Sequence, residues 1–268
     1  MQRKLSLFSL PALAAAMGLG LAGTSDAAVV TITSGPNAGE VVFDSRGYEG
    51  STAGATPGVS DPAVGTYEFF QTNGVTVETG PGLDGVPGAF SGQNYLSIDR
   101  GAPGATSLSD TNHIFSRSID TGTESFTVAF AWWGSTDFMA MSVGDSESDG
   151  TASSEPGLLA SWGFDPRDGS LREFTNDGSV PFSDPSLIDG QWNEVELAWD
   201  HVTGVASLTI NGDSRALTAI DSPATVSQFF VAANAGGNQV FIDAIPEPGS
   251  MSLLAIGAGM ILRRRRSN

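Results

Sequence analysis

The chain contains no cysteine in its 268 residues. That absence removes disulfides, iron-sulfur clusters, thiolate-ligated zinc and thiol nucleophiles, and a body of this length can hold a fold with an apolar core alone. Basic residues are scarce as well, 12 against 30 acidic ones. Arg3, Lys4 and the run Arg263, Arg264, Arg265 and Arg266 lie in the two ends, which leaves six bases and 28 acids between residues 28 and 245. A body with a net charge of about −22 repels nucleic acid phosphates and anionic lipid, so neither is an expected partner. It reads as a solvated acidic surface, to which divalent cations could bridge an acidic polysaccharide. Histidine is nearly missing: His113 and His201 are the only two. Both sit in polar contexts without a nucleophile elbow or metal-ligand spacing, and both are expected in exposed loops.

Helical periodicity is also lacking. No segment between 28 and 245 keeps apolar residues at helical spacing for three turns, and no internal repeat of fixed period occurs. Period-2 alternation recurs instead between Gly, Pro, Asn and Asp clusters, which predicts an all-β chain. Phe126, Val128, Phe130 and Trp132 share one strand face, and Met139, Met141 and Val143 share another. Val195, Leu197 and Trp199 point one way while Glu194, Glu196 and Asp200 point the other. Ala206, Leu208 and Ile210 continue the pattern, and Asn211-Gly212 closes that strand with a strong turn pair. The first third is less regular, with short β-like pieces at 29–33, 40–43, 75–78 and 95–98. Several short strands with such breaks predict a sandwich.

The two ends read as addresses. Arg3 and Lys4 precede an apolar stretch over 5–21, and Ser25-Asp26-Ala27 offers small residues before a cut, so residues 1–27 are expected to be a secretory signal peptide. At the other end, Pro246, Glu247 and Pro248 are followed by 14 uncharged residues, 249–262, and then four arginines. As a helix that run would extend about 21 Å, short of a hydrocarbon core of roughly 30 Å. The arginines would hold their end on the cytoplasmic side. The prolines keep the triplet extended and open to proteolysis.

This order of elements in residues 246–268 closely resembles the PEP-CTERM sorting signal. The resemblance implies recognition by an exosortase, transient membrane insertion through the tail, cleavage near Pro246-Glu247-Pro248, and delivery by the secretion machinery to the surface of a Gram-negative bacterium that makes exopolysaccharide. Tails of this type also carry the name of an ice-binding protein C-terminal domain. Thr-x-Thr occurs here only at Thr31 to Thr33 and Thr121 to Thr123, too sparsely for an ice-binding array.

Between the two ends, Trp192, Trp199 and Asn211-Gly212 lie in a hairpin that resembles the signature of laminin-G-like, concanavalin A-like jelly rolls. The resemblance implies one such sandwich over 28–245, with a last strand over 239–245 returning beside the first. Laminarinase-type glycosidases share that fold and carry Glu-x-Asp-x-x-Glu or a close variant. Glu194-Val195-Glu196-Leu197-Ala198-Trp199 lacks the central Asp and the last Glu, so the two glutamates are expected on the wet face of a strand and no enzyme activity is expected. Asp145, Glu147 and Asp149 alternate before Gly150 like the first half of a calcium loop, but Pro156 stands where a bidentate Glu belongs. They are candidate ligands for calcium, the sole cofactor the sequence suggests. Trp133, opposite in phase to Trp132, is the candidate exposed platform for a sugar. The expected role is structural or adhesive in an exopolysaccharide or biofilm setting. A carbohydrate-binding module with an aromatic groove is the first alternative, and a secreted glycosidase the second.

Overall fold

The computed structural model describes residues 25–57, 66–69, 74–82, 85–99, 109–134, 139–145, 157–165, 167–233 and 239–246. Along the chain the strands are β1 (Ser25–Ala27), β2 (Val29–Ser34), β3 (Val41–Asp44), β4 (Thr66–Phe69), β5 (Val75–Thr79) and β6 (Asn94–Asp99). Next come β7 (Ser109–Asp120), β8 (Ser125–Trp133), β9 (Met139–Gly144), β10 (Leu158–Asp165), β11 (Ser170–Thr175) and β12 (Gly178–Phe182). Last are β13 (Trp192–Asp200), β14 (Val205–Ile210), β15 (Asp213–Leu217), β16 (Thr225–Ala233) and β17 (Gln239–Pro246). Residues 25–245 form one compact unit. Residues 1–24 of the expected signal peptide, residues 247–268 of the expected sorting tail, and Glu147 and Asp149 lie outside the described residues. Among the described residues no helix is long and apolar enough to cross a membrane.

The strands form two sheets, and the all-β sandwich expected from the alternation is present. One sheet runs β15-β14-β13-β8-β17-β6-β5, with β1 paired to β17 and with β2 joining β8 to β3. The other runs β12-β11-β10-β9-β16-β7-β4. The central strand β8 has β13 along one side for its whole length. Its other side is divided: β2 pairs with the N-terminal half (Val30 with Val128, Ile32 with Phe126) and β17 with the C-terminal half (Ile242 with Trp132, Asp243 with Ala131).

The core lies between the sheets because period-2 alternation sends the apolar set of each strand inward. Phe126, Val128, Phe130 and Trp132 of β8, Val195, Leu197 and Trp199 of β13 and Met139, Met141 and Val143 of β9 are all buried there. Trp132 meets Trp162 edge-on, with ring centroids 6.0 Å apart, and Phe164 at 5.7 Å, so β8 and β10 are joined across the sandwich by aromatic packing. Asn211 and Gly212 both take positive φ, 48° and 92°, the geometry that lets a two-residue loop follow the strand twist between β14 and β15.

Both histidines are placed differently from expectation. His113 lies inside β7 and is fully buried, edge-on to Phe43 at 4.9 Å and against Phe229 at 5.2 Å. Its polar sequence neighbours suggested a loop, but tertiary packing covers that strand. His201 is half-buried, because its Nδ1 lies 2.9 Å from Ser125 Oγ and 3.2 Å from Ser34 Oγ, which ties the turn after β13 to the ends of β8 and β2.

Candidate functional site

The inward residues of three strands dictate what faces out. Val75 and Val77 of β5, Leu96 and Ile98 of β6, and Val240 and Ile242 of β17 belong to the core. Alternation therefore sends Thr76 and Glu78, Tyr95, Ser97 and Asp99, and Gln239, Phe241 and Asp243 to the outer face of the ten-stranded sheet. Register then sets them side by side: Glu78 opposite Tyr95, Thr76 opposite Ser97, Ser97 opposite Phe241, and Asp99 opposite Gln239.

On the same face Trp133 of β8 stands opposite Trp192 of β13, their rings 5.6 Å apart at 76°. Tyr95 meets Phe241 at 5.9 Å and Trp192 at 6.1 Å, both edge-on. The result is a second apolar cluster, Val86, Tyr95, Trp133 and Phe241, separate from the core between the sheets. Residues 85–92 cover part of it. Asp243 Oδ2 accepts from the backbone N–H groups of Phe90 and Ser91, and Trp192 Nε1 donates to the Gly88 carbonyl at 3.0 Å. Asp243 is itself fully buried, so its carboxylate acts as the anchor of this strap.

Trp133 is consequently not the exposed platform expected of it. The alternation argument placed it correctly on the face opposite Trp132, but Trp192, Tyr95 and the strap leave it only 5% exposed.

Beside this cluster opens a cleft of about 360 Å³ lined by Glu78, Pro81, Gly82, Tyr95, Gln239 and Phe241. Ligand pockets span roughly 300–1,000 Å³, so the cleft is of useful size. Glu78 supplies a carboxylate and Gln239 an amide that donates and accepts, while the buried rings of Tyr95 and Phe241 form the wall behind them. The Tyr95 ring is fully buried, yet its Oη has no hydrogen-bond partner among the described residues, and neither has the buried Ser97 Oγ behind it. Burial raises the Tyr95 phenol above its ordinary value, and the charges of Glu78 and Asp243 push it further the same way, so the group stays an O–H donor. Gly82 is required here: a Cβ at that position would come within 2.3 Å of Tyr95 Oη. Among the described residues no lysine, arginine or histidine lines the cleft.

Family models give no match to this chain, and no curated protein matches it. Solved structures do. Lectin I-B4 from Griffonia simplicifolia in its metal-free form is 13% identical over 64% of this chain and 91% of its own, with a TM-score of 0.42. Lectin I from Ulex europaeus, solved with the methyl glycoside of α-L-fucose, is 12% identical over 66% of this chain and 88% of its own, also at 0.42. Peanut lectin with a 9-residue peptide is 14% identical over 66% and 94%, at 0.39. At such identities no sugar contact carries over from them, and the cleft is defined by this chain's own side chains.

The remaining residues singled out in the sequence are not drawn together. Glu194 and Glu196 are exposed on the outer face of β13, with Ala131 and Ala129 opposite them on β8 and Thr209 opposite Glu196 on β14, so no second carboxylate faces them from those strands. Asp145 follows β9, its N–H bonded to the Gly157 carbonyl at 3.0 Å. Among the described residues no group of three or more acidic or histidine side chains is arranged to hold a metal. Pro246 is the last residue of β17. The cleft residues went unremarked in the sequence, although a signal was there. In Asn94-Tyr95-Leu96-Ser97-Ile98 and Gln239-Val240-Phe241-Ile242, the alternation turns one aromatic of each strand away from the aliphatic face.

Proposed function

We propose that this chain is an exported, non-catalytic β-sandwich that binds glycan in the cleft between β5, β6 and β17. One observation carries the reading. A phenol with no partner among the described residues stands in the wall of a cleft that also carries the Glu78 carboxylate and the Gln239 amide, a set of donors and acceptors that suits the hydroxyl rim of a sugar. An orphaned buried hydroxyl costs about 1–3 kcal/mol, and a ligand hydroxyl would relieve that cost.

Tyr95→Phe separates this reading from a purely structural role. The substitution keeps the ring and removes the orphan, so the unliganded protein should unfold at the same or higher denaturant concentration. Affinity for a polysaccharide it binds should fall about tenfold, the value of one net hydrogen bond. Titration calorimetry with urea unfolding on the same samples gives both numbers. Unchanged affinity would remove Tyr95 from any binding role.

The ends supply the address in this proposal. The signal-like residues 1–27 and the Pro246-Glu247-Pro248, apolar, four-arginine order support export, exosortase processing and display at a Gram-negative cell surface or in its exopolysaccharide. Intact mass from the host with and without its exosortase tests the point. A species that keeps Arg263 to Arg266 in both strains would make the tail a plain anchor.

A further inference from the structure

We infer that residues 85–92 are a lid, closed over Trp133 and Trp192 in the free protein and lifted when a sugar ring stacks there; the inference rests on the glycan reading of the adjoining cleft. The segment lies between β5 and β6 and covers the outer face without joining either sheet. Among the described residues three hydrogen bonds tie it to the strands beneath, from the Phe90 and Ser91 N–H groups to Asp243 Oδ2 and from Trp192 Nε1 to the Gly88 carbonyl. Val86 is its buried apolar foot, and Phe90 leans on Trp192 with ring centroids 6.2 Å apart. Gly85 and Gly92 stand at its two ends with φ of 79° and 71°, so each end has the backbone freedom that a hinge needs.

Closure leaves the layer beneath incompletely satisfied. Trp133 is buried and its Nε1 has no hydrogen-bond partner among the described residues, and the same holds for Tyr95 Oη in the same cluster. Buried donors without acceptors raise the free energy of the closed form, whereas water or a ligand hydroxyl can accept from both once the segment lifts. A segment with few ties over such a face opens locally at less cost than the core strands. Opening clears Trp133 and Trp192, whose rings stand 5.6 Å apart at 76°, for the apolar face of a sugar. The cleft runs into this layer, because Tyr95 and Phe241 belong to both and the Gly82 N–H in the cleft wall donates to the Val86 carbonyl at 2.9 Å. A glycan that binds the open form alone has its apparent affinity reduced in proportion to the open fraction.

Val86→Ala separates a lid from a fixed wall, because the two give opposite signs. Trimming the foot should raise the open population about tenfold, and with it the affinity for a glycan that binds the open form. Hydrogen exchange on the full-length parent comes first. Peptides spanning Phe90 and Ser91 should exchange at least about a hundredfold faster than those of β8 and β13, after correction for intrinsic rates. Exchange in step with those strands would mean that the segment never opens by itself, and would overturn the lid. Parent and variant are then titrated with laminarin, dextran and mannan. At least one should bind the parent, and the variant should bind it about tenfold more tightly. Binding by the variant no tighter than the parent's would overturn the lid and leave the glycan reading standing. A folded pair that binds none of the three would overturn the glycan reading, and the gate with it.

Discussion

Acidification from pH 6.5 to pH 4.5 should cost the folded protein about 2 kcal/mol through His113 alone. Burial among Phe43, Tyr48 and Phe229 lowers its imidazole from 6.5 to about 3. The folded state therefore holds the neutral form, while the unfolded chain takes up a proton below about 6.5. Stability from this group is complete above that pH and declines as pH falls towards the folded value, by about 1.4 kcal/mol per unit once well below 6.5. The buried carboxylate of Asp165 is also lowered, but it titrates at more acid pH. Asp165 is held down to about 2, chiefly by its hydrogen bond with Arg167, so its contribution is lost only below the ordinary carboxylate range. The histidine thus dominates the window from 6.5 to 4.5, with Glu124, held down against its burial by Arg117 and Asn37, entering only at its acid end. Urea unfolding across it should show a falling midpoint in the parent protein and a nearly flat one in His113→Phe. A flat parent profile would rule out the buried neutral imidazole.

The largest loss from a single side chain is expected at Trp132. Truncation to alanine should remove about 3–5 kcal/mol, the usual range for a large aromatic in a packed core. A domain of this kind has about 5–15 kcal/mol in total, so a substantial unfolded fraction would follow. The size of the effect comes from geometry. Trp132 sits in the central strand of one sheet and packs edge-on against Trp162 and near Phe164 of the other, so an alanine there leaves a gap where the two layers meet. Trp132→Phe should recover most of the loss, because it keeps a ring and drops an indole N–H that has no partner among the described residues. Denaturant melts of the two variants decide the matter, and a cost below about 1 kcal/mol for the alanine variant would mean that the core collapses around the site.

The sequence disclosed the parts of the fold in which one face of a strand is wet. β8, β13 and β14 alternate cleanly, so their inward sets and the Asn211-Gly212 turn were readable in advance. β10 was not, because all eight of its residues are buried and no alternation survives. β7 misled for the opposite reason: its run Ser109-Asp110-Thr111-Asn112-His113 is polar enough to look like a loop, and only packing places His113 in the interior. The cleft was hidden by distance along the chain. Glu78 and Tyr95 come from the consecutive strands β5 and β6, but Gln239 and Phe241 join them only through the order β17-β6-β5, which no local pattern encodes. Trp133 shows the limit of phase arguments. Alternation tells which face a side chain takes, and says nothing of a strap that later covers that face.

The divided flank of β8 bears on biogenesis. Its two halves are completed by segments from opposite ends of the body, β2 and β17, so the pairing that closes the middle of the larger sheet is among the most non-local in the chain. Such high contact order delays folding until the distant partner is present. A nascent chain still missing residues 239–246 leaves the backbone donors and acceptors of Ala131 and Trp132 open on that side, and Leu96 and Ile98 without their neighbour. Folding of the larger sheet is thereby postponed to the end of synthesis, because residues 239–246 are among the last of the body to emerge and the middle of that sheet cannot close without them.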